Sequence, residues 1–166
     1  STPHSAVLGH IDGTTSYRNV QRFPEARTVD GVQIVRIDAA LSFVNALNVK
    51  RLLLDQAETL DASPRSLVLD ASGINDIDAT GAEMLTEVIT ELDERKVKLY
   101  LTDVKGPVRD VLWRAGIWEQ LDDQIFTSTN DAITAIRASR SAPADKRRFG
   151  IDEGRLDGRD SKVEAR

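Results

Sequence analysis

Leu69-Asp70-Ala71-Ser72-Gly73-Ile74-Asn75-Asp76-Ile77-Asp78-Ala79-Thr80-Gly81, running on into Ala82-Glu83-Met84-Leu85, contains an abrupt change of period. Ser66-Leu67-Val68-Leu69-Asp70 is a short apolar run and reads as a central strand. From Asp78 the period becomes helical. Ala82, Leu85, Val88, Ile89 and Leu92 share one face, and Glu83, Glu87, Glu91 and Asp93 fall mostly on the others. Asp78 stands where an N-cap belongs, although no Glu or Gln follows three residues later to complete a capping box. A strand, a short polar loop and a helix in this order define one unit of an α/β sheet, with Thr80 in the first turn of its helix.

The same alternation extends both ways. Val97-Lys98-Leu99-Tyr100-Leu101-Thr102 predicts the next strand, after basic Arg95-Lys96 at the negative end of the helix dipole. Gly106-Pro107 opens a third helix and Gly116 closes it, the usual placing of Pro at a start and Gly at an end. Val108, Val111, Leu112 and Ala115 form its inner face. Ile125-Phe126-Thr127 predicts a last short strand, and Ser128 or Asn130 caps a final helix through Ile133 and Ile136. Upstream, Asn48 is placed to cap a helix to about Leu60, with Leu52, Leu53, Ala57 and Leu60 inward and Ser63-Pro64 ending it. Val32 to Asp38 alternates like a strand, and Asp30-Gly31 before it supports a hairpin with what precedes. Ala6-Val7-Leu8-Gly9 predicts a short strand, Asp12-Gly13 a turn, and Tyr17 to Glu25 an irregular stretch. The fold class is therefore α/β, a mixed sheet of four to five strands with right-handed crossover helices. Ligands of such sheets bind beyond the carboxyl ends of the strands, here Asp38, Asp70 and Thr102-Asp103.

Bulk composition narrows the function. The 166 residues are 40% hydrophobic and 30% charged, with net charge -5, enough for one core and without the basic excess of a nucleic-acid binder. No run of roughly 18 apolar residues occurs, and the N-terminus does not read as a signal peptide. The absence of cysteine removes disulfides, thiolate metal sites and cysteine nucleophiles. Only His4 and His10 are present, so a histidine metal site or catalytic triad is not expected. Residues 138–166 carry eight basic and six acidic residues and few large apolar ones, which predicts a disordered, charged tail with net charge +2. The domain is expected over 1–137, with 1–30 as its entry segment, and this part carries the acidity, net -7.

Thr80 admits two readings. A hydroxyl in the first turn sits by free backbone N–H groups and the positive dipole end, which would favour a phosphoryl group there. It equally suits a plain helix start, and Asp76 and Asp78 would repel a phosphate. Gly81 would let a partner or an anion approach the backbone. Asp70, Asp76, Asp78 and Asp103 resemble an acid or Mg²⁺ cluster in type, but strand-end aspartates commonly cap turns. There is no Gly-x-x-x-x-Gly-Lys-Ser/Thr phosphate loop and no Gly-x-Ser-x-Gly elbow. Trp113 and Trp118 are expected to be packing residues rather than stacking platforms.

Asp70-Ala71-Ser72-Gly73 followed by Ile77-Asp78-Ala79-Thr80-Gly81 resembles the signature of the STAS domain, shared by SulP-type anion transporters and bacterial anti-sigma-factor antagonists. Thr80 matches the hydroxyl phosphorylated in the antagonists. Val7-Leu8-Gly9-His10, Gly13-Thr14, Tyr17-Arg18-Asn19-Val20, Pro24-Glu25-Ala26, and Gly31 to Asp38 followed by Leu41-Ser42-Phe43-Val44-Asn45-Ala46 resemble the entry of the permease branch. The likeness covers roughly residues 6–137. It implies a cytoplasmic regulatory and interaction domain of a sulfate or related anion permease, on the cytoplasmic face of the membrane. The implied partners are the parent's transmembrane domain, a second copy in a dimer, and a cytoplasmic regulatory protein, with no nucleic acid and no direct membrane insertion. No cofactor is required and no enzyme activity is expected. A guanine or adenine nucleotide is the small ligand implied, bound weakly and hydrolysed slowly at most. The implied ligand or partner surface comprises Ser42, Asn45, Asp78, Ala79, Thr80, Gly81, Asp103 and Lys105. The alternative is a free-standing antagonist switched at Thr80. Thr80 in place of the usual Ser, and Ala79 in place of a common second hydroxyl, weigh against phosphorylation at Thr80.

Overall fold

Hydrophobic alternation and crossover length together determine the sheet. The computed structural model describes residues 1–142. Its strands are β1 (Ser5–His10), β2 (Tyr17–Asn19), β3 (Val32–Ile37), β4 (Arg65–Asp70), β5 (Val97–Thr102) and β6 (Ile125–Phe126). Its helices are α1 (Ala46–Glu58), α2 (Ala79–Glu94), α3 (Gly106–Arg114), α4 (Ile117–Gln120) and α5 (Thr129–Ser141). They build one sheet in the order β2-β1-β3-β4-β5-β6. The pairs β3–β4, β4–β5 and β5–β6 are parallel, and β1 is antiparallel to both β2 and β3. The α/β mixed sheet is thus as expected, with six strands instead of four or five. The additional strand, β2, lies in the stretch expected to be irregular, because three residues are too few to display a period.

Residues alternate between the two faces of the sheet. Val35 and Ile37, Leu67 and Leu69, and Val97, Leu99 and Leu101 share one core cluster with Leu53 of α1, Val88 and Leu92 of α2, Leu112 of α3 and Ile117 of α4. Ile34, Val68, Asp70, Tyr100 and Thr102 point the other way and are also buried. Ser1–Ala132 forms one compact unit, and the described residues from Ile133 to Ala142 belong to a second.

Several boundaries differ from expectation. Helix α1 begins at Ala46, with Asn45 rather than Asn48 at its N-cap position. The Ala46 amide already donates to Ser42 O (2.8 Å) and the Val49 amide to Asn45 O (2.9 Å), so Asn48 falls inside the helix. The Asp30-Gly31 turn does not join β3 to its sheet neighbour. It closes only an isolated contact between Val29 and Val32, while β3 pairs with the distant β1 through Val35–Val7 and Ile37–Ser5. Helix α3 starts one residue before Pro107, and Gly116, at φ 76°, reverses the chain into α4. Of the two proposed caps of α5, Ser128 is used: its Oγ accepts from the Asp131 amide at 3.0 Å. Helix α5 continues past Arg137 to Ser141, so the first residues of the stretch expected to be disordered are helical. The rest of that tail, from residue 143, lies outside the described residues.

Candidate functional site

Two loops leave adjacent parallel strands at their carboxyl ends, after β3 and after β4, and lie against each other. The Leu41 amide donates to Asp76 O (3.0 Å), and the Asp78 amide donates back to Leu41 O (3.0 Å). This pairs Leu41 with Ile77 as an isolated parallel bridge. Asp78 then completes the joint. Its Oδ1 accepts from the Gly81 amide (2.8 Å), capping α2, and its Oδ2 accepts from the Phe43 amide (3.0 Å). These amides, Gly81 first and Phe43 next, hold the Asp78 carboxyl below its ordinary value of 3.8.

Gly81 has a different purpose from the expected one. A Cβ on it would lie 2.4 Å from the carbonyl oxygen of Leu41. The close approach that glycine permits is therefore between α2 and this chain's own loop, not a partner or an anion. Asn45 is likewise internal. It is 7% exposed, its Oδ1 accepts from the Ser42 amide (3.0 Å), and its Nδ2 donates to Ala40 O (2.8 Å). Ser42 is half-buried and its Oγ accepts weakly from the Val44 amide (3.4 Å).

Ala79 and Thr80 are exposed on the resulting corner. Among the described residues the Thr80 hydroxyl has no hydrogen-bond partner. A cleft of about 270 Å³ between α1 and α2 reaches Thr80 and is lined by Leu47, Lys50, Glu83, Met84 and Glu87 among others. Lys50 within it pairs with Glu87 (3.3 Å) and Glu91 (3.0 Å). Beside the same corner stand Phe43, Val44 and Leu47, exposed by 75%, 56% and 61%. These three were absent from the expected surface. Their signal was a cluster of apolar residues at positions that fit no buried periodic face.

Asp103 and Lys105 sit apart on the β5–α3 loop and line neither of the clefts that flank the start of α2. Lys105 Nζ donates to Asn75 Oδ1, which ties it to the signature loop. Of the four aspartates that resemble an acid cluster in type, Asp70, Asp76 and Asp78 serve the turns. Asp76 Oδ1 accepts from the Ile77 amide (2.8 Å). Asp70 accepts from the Ser72 amide (2.9 Å) and from Thr129 Oγ1 (3.4 Å), whose oxygen also lies 2.8 Å from Thr102 Oγ1.

Asp103 adopts φ 55°, a conformation that Asp and Asn tolerate better than most residues. Burial pushes its carboxyl up, and the Asp70 charge adds to the shift. A raised carboxyl pKa means the folded state holds the extra proton, so stability falls as pH climbs from 3.8 through the folded value. Asp103→Asn is therefore expected to stabilise at pH 7 by under about 1 kcal/mol, the scale of a partly screened charge. The gain should vanish when urea midpoints are compared below the ordinary 3.8. A gain that persists there would show that charge is not its cause.

The STAS domain family profile matches residues 23–132, across both loops, α1, α2 and the parallel strands. The chain belongs to the STAS domain family. High affinity sulfate transporter 2 of Stylosanthes hamata is 32% identical over 140 residues, covering 79% of this chain and 21% of the transporter. This STAS chain thus spans about a fifth of the length of the sulfate transporters it matches. Among solved structures, the murine Solute Carrier 26 family member A9 anion transporter superposes with a TM-score of 0.76 at 22% identity, over 83% of this chain and 23% of that one. An anti-sigma factor antagonist from Mycobacterium paratuberculosis gives 0.56 at 20% identity, over 67% and 90%. Both share the fold. Among the described residues, no helix of this STAS chain is long and apolar enough to cross a membrane.

Proposed function

We propose that this STAS chain is the regulatory and interaction domain of a SulP-type sulfate or related anion transporter, held on the cytoplasmic face of the membrane. Its docking corner comprises Ala79, Thr80, Phe43, Val44 and Leu47, and its partner is a surface of the transporter itself. The observation that carries this reading is the exposure of three large apolar side chains beside the family's signature loop, where a folded loop has no internal use for them. Support for the transporter comes from the identity to sulfate transporters over most of this chain.

The corner favours a protein over a nucleotide. Glu83 and Glu87 line the cleft at Thr80 and would repel phosphates, Asn45 is turned inward, and Lys105 is engaged by Asn75. Guanine or adenine nucleotides are therefore expected to bind weakly at most, and amide shifts during a nucleotide titration would measure this.

The test is sulfate uptake by cells producing the full product of the gene that encodes this chain. Phe43→Asp should weaken docking by about 2 kcal/mol, as loss of an aromatic hot spot does, and uptake should fall accordingly. The urea midpoint of the isolated chain should stay unchanged, since Phe43 is 75% exposed. Full uptake by the folded variant would remove the corner from the mechanism. A gene product without membrane spans would remove the transporter.

A further inference from the structure

The reversal between α3 and α4 assembles a second site. Helix α3 starts beyond the carboxyl end of β5, and Arg114 in its last turn shares a cleft with Ala79 and Glu83 at the start of α2. Gly116 at φ 76° then folds the chain over. As a result Trp113 of α3, Trp118 and Glu119 of α4, and Asp122 of the following turn line a single cleft of about 380 Å³. Trp113 is 64% exposed, contrary to the expectation that both indoles are packing residues. Trp118 meets that expectation in part, packing one side against the core.

Some acids of the helical surface are paired within the chain and others are not. Glu58, Glu87 and Glu91 are all ion-paired. Among the described residues Glu119 and Asp122 have no ion pair and no side-chain hydrogen bond. Two indoles and two carboxylates without an ion pair in one concave space are chemically matched to a cation. The chain itself uses half of this chemistry: the guanidinium of Arg109 lies over the Trp118 ring, 4.8 Å from its centroid, without lining the cleft. A planar guanidinium suits the site better than a choline headgroup, whose attached phosphate the two carboxylates would repel.

We propose that this cleft is a docking site for an arginine side chain of a partner polypeptide, stacked on Trp113 beside the edge of Trp118 and hydrogen-bonded by Glu119 and Asp122. This goes beyond the transporter reading and does not depend on it, since the four residues that line this cleft are not part of the Thr80 corner.

The test is a titration of the chain with the capped peptide Ac-Ala-Arg-Ala-amide, followed by the indole N–H resonances of its two tryptophans. Trp113→Phe and Trp118→Phe assign them. Both resonances are expected to shift saturably. The same peptide with citrulline, isosteric but uncharged, should leave them in place. Glu119→Gln combined with Asp122→Asn should weaken binding at least about tenfold, or 1.4 kcal/mol, with an unchanged urea midpoint because both side chains are exposed. Equal shifts with citrulline, or no shift at about 50 mM peptide, well above the range of weak complexes, would overturn the proposal. Phosphocholine shifting the indoles more than the peptide would overturn it in favour of a lipid headgroup.

Discussion

Gly81→Ala is expected to destabilise the fold by about 2–3 kcal/mol, the upper part of the range for forcing extra volume into a packed site. The new methyl would lie 2.4 Å from Leu41 O, 2.8 Å from Leu41 C and 3.0 Å from Ile77 Cγ1. The first two are backbone atoms, so no rotamer change relieves the contact. Helix α2 would have to move away from the β3–α1 loop, and the hydrogen bonds between Leu41, Asp76 and Asp78 would stretch with it. Alanine gains roughly 1 kcal/mol over glycine inside a helix, which offsets the clash only in part. Urea denaturation measures the net effect. A variant as stable as the parent would mean that α2 does not rest on Leu41. Because Asp78 joins Phe43 to the helix start, the amide resonances of Phe43 and Val44 should shift in the same variant.

Leu41→Ala is expected to cost about 3 kcal/mol, within the range for deleting a buried leucine in an unrelaxed core. Leu41 is 1% exposed and belongs to the core cluster with Ile77, Ala82 and Leu85. The truncation leaves its amide and carbonyl in place, so the two loops keep their pairing while the space beneath them opens. The two substitutions thus affect the same joint differently: one crowds the backbone and the other empties the side-chain layer. A cost below about 1 kcal/mol would place Leu41 outside the core, since surface changes are of that size.

Most of the sheet was legible because β3, β4 and β5 are long enough to show a period, and each is followed by an amphipathic helix. The cap of α2 was legible because Asp78 acts within its own turn. What escaped depends on contacts distant in sequence. Gly81 looked like room for a partner because nothing local indicates that Leu41, on the preceding crossover, fills the space. Asn48 looked like a cap because Asn45 spends its side chain on Ser42 and Ala40 instead of on the helix. β2 was missed because three residues acquire strand geometry only from their pairing with β1. Within the candidate site, exposure separated Thr80 from Asn45. The apolar Phe43 and Val44 became informative only once they were found outside the core.

The pairing of the two loops also bears on how the corner recognises anything. Loops at the ends of strands are commonly ordered only by their partner, and the lost freedom then subtracts from affinity. Here Phe43 and Thr80 are fixed in advance through Leu41, Asp76, Asp78 and Gly81. A partner docking at the proposed corner would meet a preorganised shape, and its association would require little ordering entropy on this side. Movement passed through such a contact would travel as displacement of the whole sheet and its helices rather than as the opening of a loop.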